Sequence, residues 1–153
     1  MATVLKGVEG LRAHVGTHLG YSDYATVTQQ RIDQFAEATG DRQWIHVDIE
    51  RAKTGPYGRT IAHGLLTLSM IGDLAKGLFS FDGFRMGLNY GYDKVRFPTP
   101  VPVDSRVRLG AKVARCEMIN DGVVQTVIEL TVEIEGRDKP ACVADMIFRH
   151  YLS

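Results

Sequence analysis

This sequence has no charge excess, few cysteines and no uninterrupted apolar span. Its 18 Lys and Arg balance 18 Asp and Glu, giving a formal net charge of zero. Nucleic acids and anionic membranes attract proteins through surplus basic charge, so a broad electrostatic grip on either is excluded. The two cysteines, Cys116 and Cys142, lack metal-ligand spacing and are expected to be buried, reduced thiols with no disulfide between them. The N-terminal stretch lacks the apolar run and small-residue cleavage site of an export signal, which points to the cytoplasm. The longest apolar stretch, Ile61 to Phe79, is broken by His63, Gly64, Thr67, Gly72, Asp73, Lys76 and Gly77, so it reads as a core helix, not a membrane span. No repeat, low-complexity segment or flexible linker divides the chain. One domain over residues 1–153 is expected, with 44% apolar and 24% charged residues as in an ordinary globular protein.

What is present divides into a helical first half and a stranded second half. In Thr28 to Gly40, the residues Ile32, Phe35, Ala36 and Thr39 recur on one face of a 3.6-residue period. Thr26 or Thr28 can cap the start of that helix, and Gly40 can stop it. A helical turn from Asp48 to Lys53 follows, with Asp48 as cap, then a loop from Thr54 to Arg59 rich in Gly and Pro. The stretch from Ile61 to Phe79 is apolar almost all round and must be wrapped by other elements. From Arg85 the period becomes two. Val107, Leu109, Ala111 and Val113 form one dry face, as do Val124, Thr126, Ile128, Leu130, Val132 and Ile134. Asn120-Asp121-Gly122 between them signals a hairpin. A further strand is expected over Ala141 to Tyr151. Helices followed by an antiparallel sheet make the fold class α+β.

Two clusters carry candidate chemistry. Asp41 and His46 lie five residues apart. On one helix they would diverge by about 140°, but Gly40 breaks the helix before them and a turn can bring both onto one cavity. A carboxylate and an imidazole sharing a water suit proton transfer at neutral pH. Alone, the pair also suits a capping carboxylate and a histidine that satisfies the backbone. The second cluster is Ala62-His63-Gly64-Leu65, where a helix start offers free N–H groups and glycine permits close approach. The Gly64 N–H is placed to stabilise charge developing on a carbonyl oxygen, although Gly64 can equally serve tight packing.

The run Phe35-Ala-Glu-Ala-Thr-Gly-Asp41-Arg-Gln-Trp-Ile-His46 with Ala52 resembles the hydratase motif of the MaoC-like family, the (R)-specific enoyl-CoA hydratases. Ile61-Ala-His-Gly64-Leu and Tyr90-Gly-Tyr-Asp-Lys-Val-Arg-Phe-Pro-Thr-Pro-Val resemble later pieces of the same family, in the same order. The resemblance implies a hot dog fold, an antiparallel sheet wrapped around a long central helix, and a homodimer with its active sites near the interface. It assigns the reacting water to Asp41 and His46 and the oxyanion N–H to Gly64. The family's Asn-Pro is Gln43-Trp44 here, and Ala38 replaces a larger aliphatic residue. The Gln43 amide can orient Asp41, and Trp44 adds bulk near the mouth. This variant resembles a subgroup that includes mycobacterial dehydratases and the nodulation protein NodN.

The implied reaction is reversible hydration of a trans-2-enoyl-CoA, with an acyl-CoA thioester as the small-molecule partner. No metal or organic cofactor is implied, because the thioester carbonyl is the electron sink. His63, Asn89, Tyr90 and Arg96 are candidate substrate contacts, Arg96 toward a CoA phosphate. His14 and His18 have i, i+4 spacing, but Gly16 lies between them and no third ligand is apparent. A hot dog thioesterase is the nearest rival. A non-catalytic acyl-binding or signalling-associated protein is the rival from another class.

Overall fold

The computed structural model describes residues 2–153. The element order is β1 (Thr3–Lys6), α1 (Gly7–His14), β2 (His18–Tyr21), β3 (Ala25–Thr26), α2 (Gln29–Thr39), α3 (Trp44–Val47), α4 (Ile49–Ala52), α5 (Gly64–Ala75), β4 (Phe79–Asp82), β5 (Met86–Arg96), β6 (Arg106–Asn120), β7 (Val123–Ile134) and β8 (Cys142–Tyr151). The main sheet is antiparallel with order β2-β6-β7-β8-β5, and β3 adds to the β6 edge. β1 and β4 form a separate parallel pair. The α+β class and the sheet-around-helix arrangement are both present.

The dry faces read from the alternation are those that point inward. Val107, Leu109, Ala111 and Val113 on β6, and Val124, Ile128, Leu130, Val132 and Ile134 on β7, are all buried in one apolar cluster. Across the wet face, Arg106 pairs with Glu135 and Arg108 with Glu133, each at 2.8 Å. The hairpin turns at Asp121-Gly122, where the Gly122 N–H donates to Asn120 Oδ1 at 2.8 Å.

α5 lays Leu66, Thr67, Met70, Ile71 and Leu74 into that core. It is shorter than the apolar stretch suggested. Ile61 forms a bridge with Pro102, and Phe79 opens β4. Nor is α5 wholly wrapped, because Leu65 remains 58% exposed. The first half of the chain also holds β1, β2 and β3, a correction to its all-helical reading. These strands are short, and their partners lie far along the sequence, as in Thr3 opposite Phe79 and Ala25 opposite Val107. Both cysteines are free, but only Cys142 is buried and Cys116 is half-buried, on the part of β6 where burial lessens toward Asn120. Burial pushes the Cys142 thiol up to about 11, so it is protonated at neutral pH. Among the described residues, no helix is long and apolar enough to cross a membrane.

Candidate active site

Three short elements bring the site together, and a defined backbone feature sets each. Thr28 caps α2 by accepting from the Arg31 N–H, and Gly40 ends it in the left-handed region at φ 80°. The chain then turns, so Asp41 and His46 do not ride one helix. Asp41 Oδ1 accepts from the Gln43 N–H at 3.4 Å, a local turn of the kind Asp favours. The Gln43 contact with Asp41 is thus made by its backbone. His46 sits on the single-turn α3, and Asp48 caps α4 by accepting from the Arg51 N–H at 3.0 Å.

His46 is 7% exposed, and its Nδ1 lies 2.7 Å from the Ile61 carbonyl oxygen. A carbonyl only accepts, so Nδ1 carries the hydrogen and Nε2 of the neutral ring keeps a free lone pair. Gln29 holds the His46 backbone from behind, donating to its carbonyl at 2.8 Å while accepting from Thr60 Oγ1 at 2.5 Å. His63 is 3% exposed and stacks on His46, with centroids 3.9 Å apart and planes 23° apart. Its Nε2 donates to the Asp41 carbonyl at 2.9 Å. Burial is the main force lowering the His46 pKa below the ordinary histidine value. The Ile61 hydrogen bond opposes that shift, His63 adds to it, and the Asp41 charge opposes it.

Asp41, His46 and His63 each place one ligand-type atom within 4.8 Å of the others. Histidine lone pairs lie in the ring planes, and two nearly parallel rings do not aim theirs at a common centre. One ring would have to turn before both could hold one ion.

Beside His46 lies a cavity of about 260 Å³ whose walls include Tyr57, Gly64, Thr67 and Phe97. Gly64 is the first residue of α5, so its N–H has no partner within the helix. The Phe97 ring lies directly over it, and a Cβ at Gly64 would stand 2.8 Å from Phe97 Cδ2. We expect Gly64→Ala to displace that ring and obstruct the N–H, lowering kcat/KM on the order of a hundredfold. Phe97 is 41% exposed and can swing outward, so the melting temperature should hardly move. A variant of undiminished activity would remove Gly64 from the site.

The other candidates lie elsewhere in this chain. Asn89 is exposed, with its Nδ2 3.5 Å from the Tyr92 hydroxyl. Tyr90 sits at a bulge of β5 with its ring 3.7 Å beneath the Arg149 guanidinium. Arg96 is exposed and donates to the Val95 carbonyl. Trp44 packs on Gly55 and lies under Arg51, away from the cavity walls, so it does not crowd the mouth. His14 ends α1 and donates to the Gly10 carbonyl, while His18 belongs to β2, so their spacing is not that of one helix face. Sequence reasoning missed Gln29, Tyr57 and Phe97. Phe97 was within reach, since it sits in the segment following β5 that carries the family likeness.

The model of the MaoC like domain matches residues 11–134. The chain belongs to that family. The 3-hydroxyacyl-thioester dehydratase Z of Mycobacterium tuberculosis is 48% identical over 145 residues, covering 95% of this chain and 96% of that protein. Nodulation protein N of Rhizobium leguminosarum bv. viciae is 44% identical over 137 residues, covering 88% and 85%. Among solved structures, a monoamine oxidase regulatory protein from Archaeoglobus fulgidus superposes with a TM-score of 0.81 at 24% identity, covering 100% of this chain and 99% of that one. This MaoC-like chain has the hot dog fold, and its activity is of the hydratase and dehydratase type.

Proposed function

We propose that this MaoC-like protein is an (R)-specific enoyl-CoA hydratase, running reversibly as a 3-hydroxyacyl-thioester dehydratase, with Asp41 and His46 as its proton-transfer pair. The observation that carries the reading is the locked tautomer of His46. Its Nδ1 hydrogen is committed to Ile61, so the free Nε2 lone pair is available to a water held with Asp41. The thioester carbonyl accepts from the Gly64 N–H. His46 Nε2 takes a proton from the water as its oxygen bonds to C3. The electron pair of the double bond moves toward the carbonyl oxygen, where the helix-start N–H stabilises it. The imidazolium then returns its proton to C2, leaving the 3-hydroxyacyl thioester and a neutral His46. The (R) outcome rests on the family resemblance.

The unit over residues 1–153 is read as one subunit of a cytoplasmic homodimer. β5 supports the dimer. It is a free edge of 11 residues that exposes Met86, Leu88 and Tyr90, and long apolar edges invite pairing with a second chain. Two unpaired cysteines fit a reducing compartment.

The test is loss of enoyl absorbance when purified protein meets crotonyl-CoA or octenoyl-CoA, with a thiol reagent present. Absorbance loss without free thiol is expected. Free CoA release would replace this reading with a thioesterase. Inactivity on both substrates would turn it toward acyl binding.

A further inference from the structure

We infer that Gln29 and Thr60 are positioning residues, acting together as a clamp that holds His46 at the angle from which its Nε2 takes a proton. The inference rests on the hydratase reading above and adds to it two residues that touch no substrate.

The clamp answers a local weakness. α3 has only one turn, and a single helical turn does not hold itself. The Gln43 and Trp44 carbonyls accept from the His46 and Asp48 N–H groups, each at 3.0 Å. The His46 carbonyl is one of the orphans left at a helix C-terminus, and among the described residues no backbone N–H donates to it. Gln29, the first residue of α2, supplies the missing donor from Nε2 at 2.8 Å. The same nitrogen donates to Asp33 Oδ1 at 2.9 Å, one turn further along α2. A carbonyl and an ionised carboxylate can only accept, so these two bonds fix the amide with its nitrogen toward His46. Gln29 Oε1 then faces Thr60, whose hydroxyl donates to it at 2.5 Å.

Thr60 closes the ring of bonds. It is buried, its carbonyl accepts from the Val103 N–H at 2.9 Å, and it directly precedes Ile61. The Ile61 carbonyl takes the His46 Nδ1 hydrogen at 2.7 Å. His46 is therefore held at two points from adjacent residues: its imidazole by Ile61, its main chain through Gln29 by Thr60. Two attachments fix the direction of a ring that a single one would leave free to tilt. Neither Gln29 nor Thr60 lines the cavity beside His46, and both line a separate cavity of about 290 Å³. Their effect on the reaction passes through His46.

The test compares the parent with Thr60→Val, Thr60→Ser and Gln29→Leu, all assayed well below their melting temperatures. Thr60→Val keeps the side-chain shape and removes the hydroxyl, and Thr60→Ser keeps the hydroxyl. In Thr60→Val and Gln29→Leu, kcat for octenoyl-CoA hydration should fall about ten- to a hundredfold with KM nearly unchanged, as expected when a reacting group is misaligned from a distance. Thr60→Ser should stay close to the parent. The double variant should be no worse than Gln29→Leu, because the two residues act in one chain of bonds. Proton–nitrogen NMR of the His46 ring gives a readout that a loss of stability alone does not move. The parent should show one tautomer with the hydrogen on Nδ1, as should Thr60→Ser, whereas Thr60→Val and Gln29→Leu should show exchange between both tautomers. Unchanged kcat in Thr60→Val or Gln29→Leu, a loss that Thr60→Ser shares, or an unaltered His46 spectrum in the impaired variants would overturn the clamp. Parent inactivity on both enoyl-CoA substrates would overturn the hydratase reading instead, and the ring spectrum, which needs no substrate, would then decide the clamp alone.

Discussion

Replacing Asp41 with Asn, or His46 with Gln, is expected to lower kcat/KM for enoyl-thioester hydration by about 10²–10⁴, the usual contribution of a positioned acid or base. The two changes should not add. Both groups act on one water, so the double variant should be little worse than the poorer single variant. Asp41 is exposed and accepts only a 3.4 Å bond from the Gln43 N–H, so Asp41→Asn should leave the melting temperature almost unchanged. A steady-state comparison of parent, both single variants and the double variant checks this. Strict additivity would mean that the residues act in separate steps.

The His46 environment also fixes a pH dependence. His46 serves as base only when neutral, so activity is present above its pKa and lost as pH falls through it. Burial lowers that pKa, which places the acid limb of the kcat/KM profile below the unperturbed histidine value of about 6.5. The Asp41 charge works the other way and raises the His46 pKa. The residual activity of Asp41→Asn should therefore show an acid limb displaced further downward. An acid limb above 6.5 in the parent would contradict the burial argument.

Local signals made much of this site legible in the sequence. Thr28 and Gly40 bound α2 because capping and left-handed termination depend on residues that adjoin the helix. The five-residue gap from Asp41 to His46 implied a turn, and Gly40 supplies it. Alternation in β6 and β7 gave the buried face correctly, because a strand with one face in the core records that fact every second residue. Non-local contacts were not legible. Nothing around Thr3 announces a partner at Phe79. The stacking of His63 on His46 joins a helix start to a separate single-turn helix, and neither local sequence specifies the other. Asn89 and Tyr90 were candidate substrate contacts at the cavity, and Arg96 was a candidate for a CoA phosphate. In the fold all three side chains are exposed on β5, an edge strand of the sheet, and which cavity an exposed edge residue adjoins depends on contacts distant in sequence.

The largest expected effect on stability concerns His150 in acid. Its pKa is pushed down to about 4 in the folded chain by burial, against an unfolded value of about 6.5. Below pH 6.5 the unfolded chain binds a proton that the folded chain refuses, so stability falls with pH until the folded group also titrates. The contribution is fully present above the unfolded pKa and lost as pH falls through the folded one. A depression of this size corresponds to about 3 kcal/mol, a substantial part of the ~5–15 kcal/mol that holds a typical domain together. The rings around His150 are Phe81, Phe84 and Phe148, none of which can compensate the charge. Urea unfolding at pH 7.5 and pH 4 should show His150→Phe losing about 3 kcal/mol less than the parent across that interval. Other groups, His46 among them, titrate in both proteins and cancel in the difference. Equal losses in the two proteins would mean that the His150 ring is hydrated in the folded state.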